Sequence, residues 1–237
     1  MSSLLHSGAA PALAAKRAAD KIPIVFITGG DPVKSGLVAS LSRLGGNITG
    51  VTSLVTALLP KQIDLLHQLV PKAIVFGELV NAVYPEAEFQ LHELREAAAA
   101  ISKKVRIVNA GTLREIDAAF DHFQFHGIDG LVVADDPFFA SSRDRIVARA
   151  ASDAVPAIYP SREFVDAGGL MSYGASAKDT YRSAGVYAGR ILKGQKPADL
   201  PVAQSERLEF VVNGKAAREL DLTIPPDMLM RADEVVE

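Results

Sequence analysis

Short β-branched apolar runs alternate with helix-period segments along most of this chain, and that alternation restricts the fold more than any other feature. Ile22-Pro23-Ile24-Val25-Phe26-Ile27 is apolar at consecutive positions, as a strand buried on both faces requires, and closes on Thr28-Gly29-Gly30-Asp31-Pro32. Residues 33–44 carry Leu37, Val38, Leu41 and Leu44 at helical spacing, which predicts a helix. Asn47-Ile48-Thr49-Gly50-Val51-Thr52 is the next strand, and 60–69, led by Pro60, the next helix. After Pro71, Ala73-Ile74-Val75-Phe76 opens a second series. Helix 85–101, strand 105–108, helix 112–124, strand 129–134, helix 138–151 and strand 156–159 follow. Strands that are apolar throughout, separated by amphipathic helices, pack as parallel sheets covered on both faces, so the fold class is α/β.

The last third breaks this rhythm. Gly168-Gly169-Leu170-Met171-Ser172-Tyr173-Gly174 reads as a short strand between glycines, ahead of a helix over 176–193 on which Tyr181, Ala184, Tyr187, Ala188 and Ile191 recur. Pro197 and Pro201 flank an extended crossing, Glu206 to Val212 alternates as a strand does, and Pro225-Pro226 opens a final short helix. Such crossings describe a chain that passes back and forth between two lobes.

Composition removes several function classes. With 25 Lys and Arg against 28 Asp and Glu, the net charge of −3 gives no electrostatic case for a nucleic-acid partner. The absence of cysteine removes disulfides, thiolate nucleophiles and Cys-ligated metal sites. No run reaches the ~18 apolar residues that span a bilayer. Near the start, Ala12-Leu13-Ala14-Ala15 imitates a signal-peptidase site. Yet no Lys or Arg precedes Lys16, and His6, Ser7 and Pro11 interrupt the ~7–15 apolar residues a signal needs. The segment reads as an Ala-rich helix start with Pro11 in its first turn, and a chain without a leader would be cytoplasmic.

No Gly-x-Gly-x-x-Gly, Walker-type loop or Gly-x-Ser-x-Gly elbow is present. His92-Glu93 is not followed by the second histidine of a zinc-protease motif, and His122 and His126, four apart, have no third ligand spaced nearby. No metal and no cofactor is expected.

In open parallel sheets ligands bind beyond the carboxyl ends of the strands. The residues there are Thr28, Gly30 and Asp31; Thr52 and Ser53; Gly77 and Glu78 with Asn81; Asn109 with Gly111 and Thr112; Asp135 and Asp136; and Tyr159 with Ser161, Arg162 and Glu163. Tyr173 joins them from the glycine-bracketed strand. Together these hydroxyl, amide, carboxylate and aromatic groups could hold the ammonium, carboxylate and side chain of an amino acid. Each Ser, Thr, Asn or Asp could equally cap the helix that follows it. Asp136-Pro137 in particular reads as a helix N-cap with proline in the first turn. Neighbouring carboxylates on a strand point to opposite faces, so a paired catalytic role for Asp135 and Asp136 is disfavoured and no catalytic residue is assigned.

Several of these runs, in order, resemble one family. Ile24-Val25-Phe26 leads into Gly30-Asp31-Pro32-Val33 and Ser35-Gly36-Leu37-Val38-Ala39-Ser40-Leu41, followed by Gly45-Gly46-Asn47-Ile48-Thr49-Gly50-Val51. Asp136-Pro137-Phe138-Phe139, Pro156-Ala157-Ile158-Tyr159 and Arg162-Glu163-Phe164 come next. Gly168 to Gly174 is the most specific run, and Ile191-Leu192-Lys193-Gly194, Lys196 to Val202, Thr223-Ile224-Pro225-Pro226 and Arg231 to Val235 complete the set. The chain is similar, from about Gly8 to its last residue, to ABC-transporter substrate-binding proteins of the tryptophan/tyrosine type, with a periplasmic-binding-protein type I fold.

The resemblance implies two Rossmann-like lobes, 1–71 with 172–197 and 72–171 with 198–237, closing on a small amino-acid-like, often aromatic, ligand. It implies delivery of that ligand to a membrane ABC permease, a periplasmic location, and no chemistry of the protein's own. Relatives begin with a leader and two strand–helix units before a third strand. Ser7 to Lys16 resembles the turn and helix after that third strand, with Ser3 to His6 as its stub. The chain is therefore expected to lack the opening βαβα of its first lobe, ~60 residues. An exposed sheet edge there would take a partner chain as a homo-oligomer. The alternatives are a shortened, non-binding or oligomerising relative, and an enzyme or regulator core that reuses the fold.

Overall fold

A computed structural model of the protein describes residues 4–42, 46–53, 58–205 and 207–237. Its strands are β1 (Leu4–Ser7), β2 (Ile24–Thr28), β3 (Ile48–Thr52), β4 (Val75–Val80), β5 (Lys104–Asn109), β6 (Gly130–Val133), β7 (Ala157–Tyr159), β8 (Met171–Ala175), β9 (Ala203–Gln204), β10 (Leu208–Asn213) and β11 (Glu234–Val236). The helices are α1 (Ala9–Ala18), α2 (Leu59–Leu69), α3 (Ala87–Ala100), α4 (Leu113–His126), α5 (Pro137–Ser141), α6 (Arg143–Ser152), α7 (Arg162–Asp166), α8 (Ala177–Leu192), α9 (Gly214–Glu219) and α10 (Pro226–Arg231). The α/β class read from the sequence is what forms.

The chain folds as two compact units, Met1–Val55 with Ala175–Leu208 and Thr56–Gly174 with Glu209–Glu237. These divisions differ from 71, 172 and 197. Helix α2 belongs to the second unit because Leu59, Ile63, Leu66 and Leu69 share an apolar cluster with Phe76 and Leu94. The stretch after Pro197 belongs to the first unit, where Leu200 packs with Val25 and Val51.

The first unit has a four-stranded sheet in the order β1-β2-β3-β9, all parallel. Alternation along β2 sends Ile24 and Phe26 to one face, against Ala12, Leu37 and Ile48. Val25 and Ile27 go to the other face, against Ala184 and Ile191 of α8. Burial of β2 on both faces explains its unbroken apolar sequence. The second unit has a seven-stranded sheet in the order β11-β10-β8-β7-β6-β4-β5. Phe76, Val132, Ile158 and Met171 face α2 and α3, while Leu79, Leu131 and Tyr159 face α4, α6 and α7.

Two expected helices differ. Over 33–42 the chain makes turns rather than a helix, and Leu44 lies outside the described residues. Asp31 starts the turn by accepting the amides of Val33 (2.8 Å) and Lys34 (3.2 Å), and Gly36 then takes φ +76°, which a right-handed helix forbids. Leu37 and Val38 are still buried, so the apolar spacing reported burial and not helix. The segment 138–151 divides into α5 and α6 at Ser142, whose amide bonds the carbonyls of both Phe138 and Phe139. Among the described residues no helix is long and apolar enough to cross a membrane.

Candidate functional site

In the first unit the strand ends are tied inward. Gly30 N donates to Thr28 Oγ1 (3.2 Å), Thr52 Oγ1 donates to Gly30 O (2.9 Å), and Ser53 N donates to Thr28 O (3.0 Å). Thr28 and Thr52 are buried, and Asp31 is occupied by its turn. The loop after β2 is thereby pinned to the loop after β3 by its own hydroxyls and amides. Within the strands, Gly50 of β3 pairs with Phe26 of β2, and a Cβ on Gly50 would stand 2.2 Å from Phe26 O.

In the second unit β4 runs through to Val80, two residues further than Glu78, so Gly77 and Glu78 are interior. Its true end is Asn81. Asn81 Nδ2 donates to Asp136 Oδ2 (3.1 Å), and Asn109 Oδ1 accepts the Ala82 amide (2.6 Å), joining the loops after β4, β5 and β6. Asp136 is buried and caps α5, its Oδ1 accepting the amides of Phe138 (2.6 Å) and Phe139 (3.2 Å), as Asp-Pro before a helix predicts. Thr112 caps α4 through the Glu115 amide (3.3 Å), and Glu115 reaches back to Gly111 N (2.8 Å).

Asp135 is different. Its carbonyl accepts from Gln90 Nε2 (2.9 Å), but among the described residues its carboxylate meets no hydrogen-bond donor and no cation. Burial first, then the charges of Asp136, Glu86 and Glu163, pushes that carboxyl up to about 6. Glu86 is also raised, chiefly by burial, and its Oε2 is buried without a partner among the described residues. The Tyr84 side chain hydrogen-bonds Glu86, and burial with the surrounding carboxylates raises its phenol strongly. The apolar run Ala73 to Phe76 places the strand end at Gly77 and Glu78, so it does not point to Tyr84, Glu86 or Gln90. Reading β4 to Val80 turns Asn81-Ala82-Val83-Tyr84-Pro85-Glu86 into a strand-end loop.

The remaining candidates are engaged elsewhere. Tyr159 is 1% exposed and stacked on Phe164 (centroids 4.9 Å apart, planes at 10°), beside a cavity of about 50 Å³. Tyr173 lies edge-on to Phe210 at 6.3 Å, and its carbonyl accepts Gln62 Nε2 (2.7 Å). Arg162 binds Glu234 with both terminal nitrogens (2.6 and 2.9 Å) and also meets Glu209 and Asp166 at 3.4 Å. Glu163 faces a surface depression of about 290 Å³ shared with Arg143, Asp144, Asp166 and Ala167. The rings of His122 and His126 lie 4.2 Å apart, and among the described residues no three His, Cys, Asp or Glu converge to hold a metal ion. The second unit's strand ends thus gather Asn81, Asn109, Asp135 and Asp136, while Tyr159 and Arg162 serve packing and an ion-pair clamp.

Comparison with known proteins gives a consistent picture. The family model described as "ABC transporter substrate binding protein" matches residues 3–236. A tyrosine-binding protein of Clostridioides difficile is 28% identical over 211 residues, covering 89% of this chain. The chain spans 60% of that relative's length. An ABC domain from Streptococcus pneumoniae, solved with L-Trp, superposes with TM-score 0.86 at 27% identity, over 98% of this chain and 80% of that one. A conserved domain protein from Vibrio cholerae gives 0.88 at 25% identity, over 98% and 78%. The fold is that of periplasmic-binding-protein type I proteins.

Proposed function

The chain belongs to the ABC transporter substrate-binding proteins, and from that premise we propose that it is the solute-binding component of an importer, taking an amino-acid-like, aromatic or aliphatic ligand. The ligand sits in the cleft between the two lobes, against the loops that follow the strand C-termini, and is handed to an ABC permease in the membrane. The protein acts outside the cytoplasm and performs no reaction. The carrying observation is the family match over residues 3–236, and relatives solved with L-Trp or described as tyrosine-binding support the ligand class. The second unit's strand ends agree with it, since they offer amide, phenol and carboxylate groups rather than a nucleophile beside a base.

A thermal-shift screen across the amino acids tests the reading. A ligand at a hundred times its dissociation constant adds about 2.7 kcal/mol to stability, a clear rise in melting temperature. At least one aromatic or aliphatic amino acid should give that rise, and a panel without any rise overturns the reading.

A further inference from the structure

Side-chain amides join the strand-end loops of the second unit, and one of those amides comes from outside the loops. Asn81 and Asn109 join the loops after β4, β5 and β6 from within, through Asp136 and the Ala82 amide. Gln90 belongs to the first turn of α3, where its backbone amide donates to Glu86 O (3.0 Å). Most glutamines reach into solvent, yet Gln90 is 2% exposed, and its Nε2 donates to Asp135 O (2.9 Å). Asp135 lies between Ala134, whose amide meets Leu79 O of β4 (3.1 Å), and Asp136, the cap of α5. The carbonyl that Gln90 holds belongs to the peptide joining Asp135 to Asp136. The plane of that peptide is therefore fixed from a helix and not from the sheet.

The same two strands are tied at their opposite ends by a different device. Asp129, just before β6, accepts the amides of Ile74 (2.7 Å) and Val75 (2.9 Å) at the start of β4. Strands β4 and β6 are thus clamped at both ends, by Asp129 where they start and by Asn81 and Gln90 where they finish. Ligands of such sheets meet only the finishing end. Because α3 follows directly on residues 81–86, Gln90 couples the loop after β4 to the peptide after β6, and a shift in one moves the other. A misplacement of about 1 Å in a supporting group is enough to weaken a site. We propose that Gln90 is a positioning residue of the ligand site: it sets the Asp135–Asp136 peptide, and so the surface that the loop after β6 offers the ligand, without touching the ligand. This deepens, and rests on, the amino-acid reading above.

Calorimetric titration with L-tryptophan, L-tyrosine and L-leucine, at a temperature where circular dichroism shows each variant folded, is the test. Gln90→Met keeps the length and removes the donor, and should weaken binding at least about tenfold. Asp129→Ala, at the other end of the same strands, should lower the urea midpoint but leave the dissociation constant within about twofold of wild type. Gln90→Glu can donate to the Asp135 carbonyl only while its carboxyl is protonated. Its affinity relative to wild type should therefore be low near pH 8 and recover near pH 5, which a residue that only fills the core would not show. Gln90→Met that loses stability but keeps wild-type affinity overturns the inference and leaves the amino-acid reading standing. An equal loss of affinity in Asp129→Ala does the same, since any loosening of the strands would then act on the ligand. If Gln90→Met does not fold, the two-pH comparison of Gln90→Glu decides, and a relative affinity that is unchanged between them overturns the inference. Wild-type protein that binds none of the three amino acids overturns both readings.

Discussion

The strand ends of the two units are built from similar residue types and solve opposite problems. In the first unit Thr28, Gly30, Thr52 and Ser53 spend their polar atoms on one another, leaving a loop pair that is closed by its own hydrogen bonds. In the second unit Asn81, Asn109 and Asp136 do the same, but the buried Glu86 Oε2 has no hydrogen-bond partner among the described residues. A saturated network positions; an unsaturated one waits for a partner.

What the units share is steric, and there the largest effects are expected. A Cβ on Gly174 would stand 1.8 Å from Pro160 O, as one on Gly50 would stand 2.2 Å from Phe26 O. Neither partner is a flexible side chain, so backbone must move. Gly174→Ala and Gly50→Ala should each cost about 4 kcal/mol or more, read as a fall in the urea midpoint or as loss of soluble protein. Near-neutral behaviour of either would show that its sheet tolerates separation at that point.

Charge should then divide the units. Glu78 lies fully buried on β4 with both carboxylate oxygens unpaired among the described residues, and burial pushes its carboxyl up to about 8. Because the folded value exceeds the unfolded one, its contribution is best at low pH. Stability then falls by up to about 1.4 kcal/mol per pH unit between the two values and stays low above the folded one. Glu78→Gln should match wild type near pH 5 and exceed it by a few kcal/mol near pH 9, in urea titrations at both. A difference that does not change with pH would mean that the carboxyl finds a partner.

Asp135 and Asp136 make the same point at one residue's distance. Asp136→Ala removes two amide acceptors at the start of α5 and should cost about 1–2 kcal/mol. Asp135→Asn removes only repulsion and desolvation, and should gain about 1 kcal/mol at neutral pH, fading as pH falls through about 6. Chemical denaturation of the pair is the check. A loss in both would place Asp135 among the structural caps.

How much of this was legible depended on whether the signal was local. Unbroken apolar runs such as Ile24 to Ile27, and Asp136-Pro137 before a helix, carry their meaning in adjacent residues, and both formed as read. The apolar spacing of Leu37 and Val38 was real, but Gly36 at φ +76° decided the backbone, and a glycine's sign of φ is not written in its neighbours. At the site the sequence could place Asp135, Tyr159 and Arg162 near strand ends, but not aim them. Tyr159 turns onto Phe164, and Arg162 turns to Glu234, seventy-two positions away in the chain. Direction is set by tertiary partners, so it appears only with the fold.

Arg162 offers the smallest effect and the sharpest separation of clamp from site. Its fork grips Glu234 of β11 and meets Glu209 of β10, tying the loop after β7 to the end of the chain. The guanidinium is about a third exposed (32%) and Glu234 nearly half (46%), so solvent screens the pair and its loss should cost only about 1 kcal/mol. Arg162→Lys keeps the charge but not the fork, and should recover only part of that loss. Neither variant should change ligand binding in the thermal-shift screen, because the guanidinium is already held by three carboxylates of its own chain. If Arg162→Ala instead abolished ligand binding with stability intact, the arginine would contact the ligand. The second unit would then present a positive group beside its acidic one, and the contrast between the two units would no longer be one of charge sign alone.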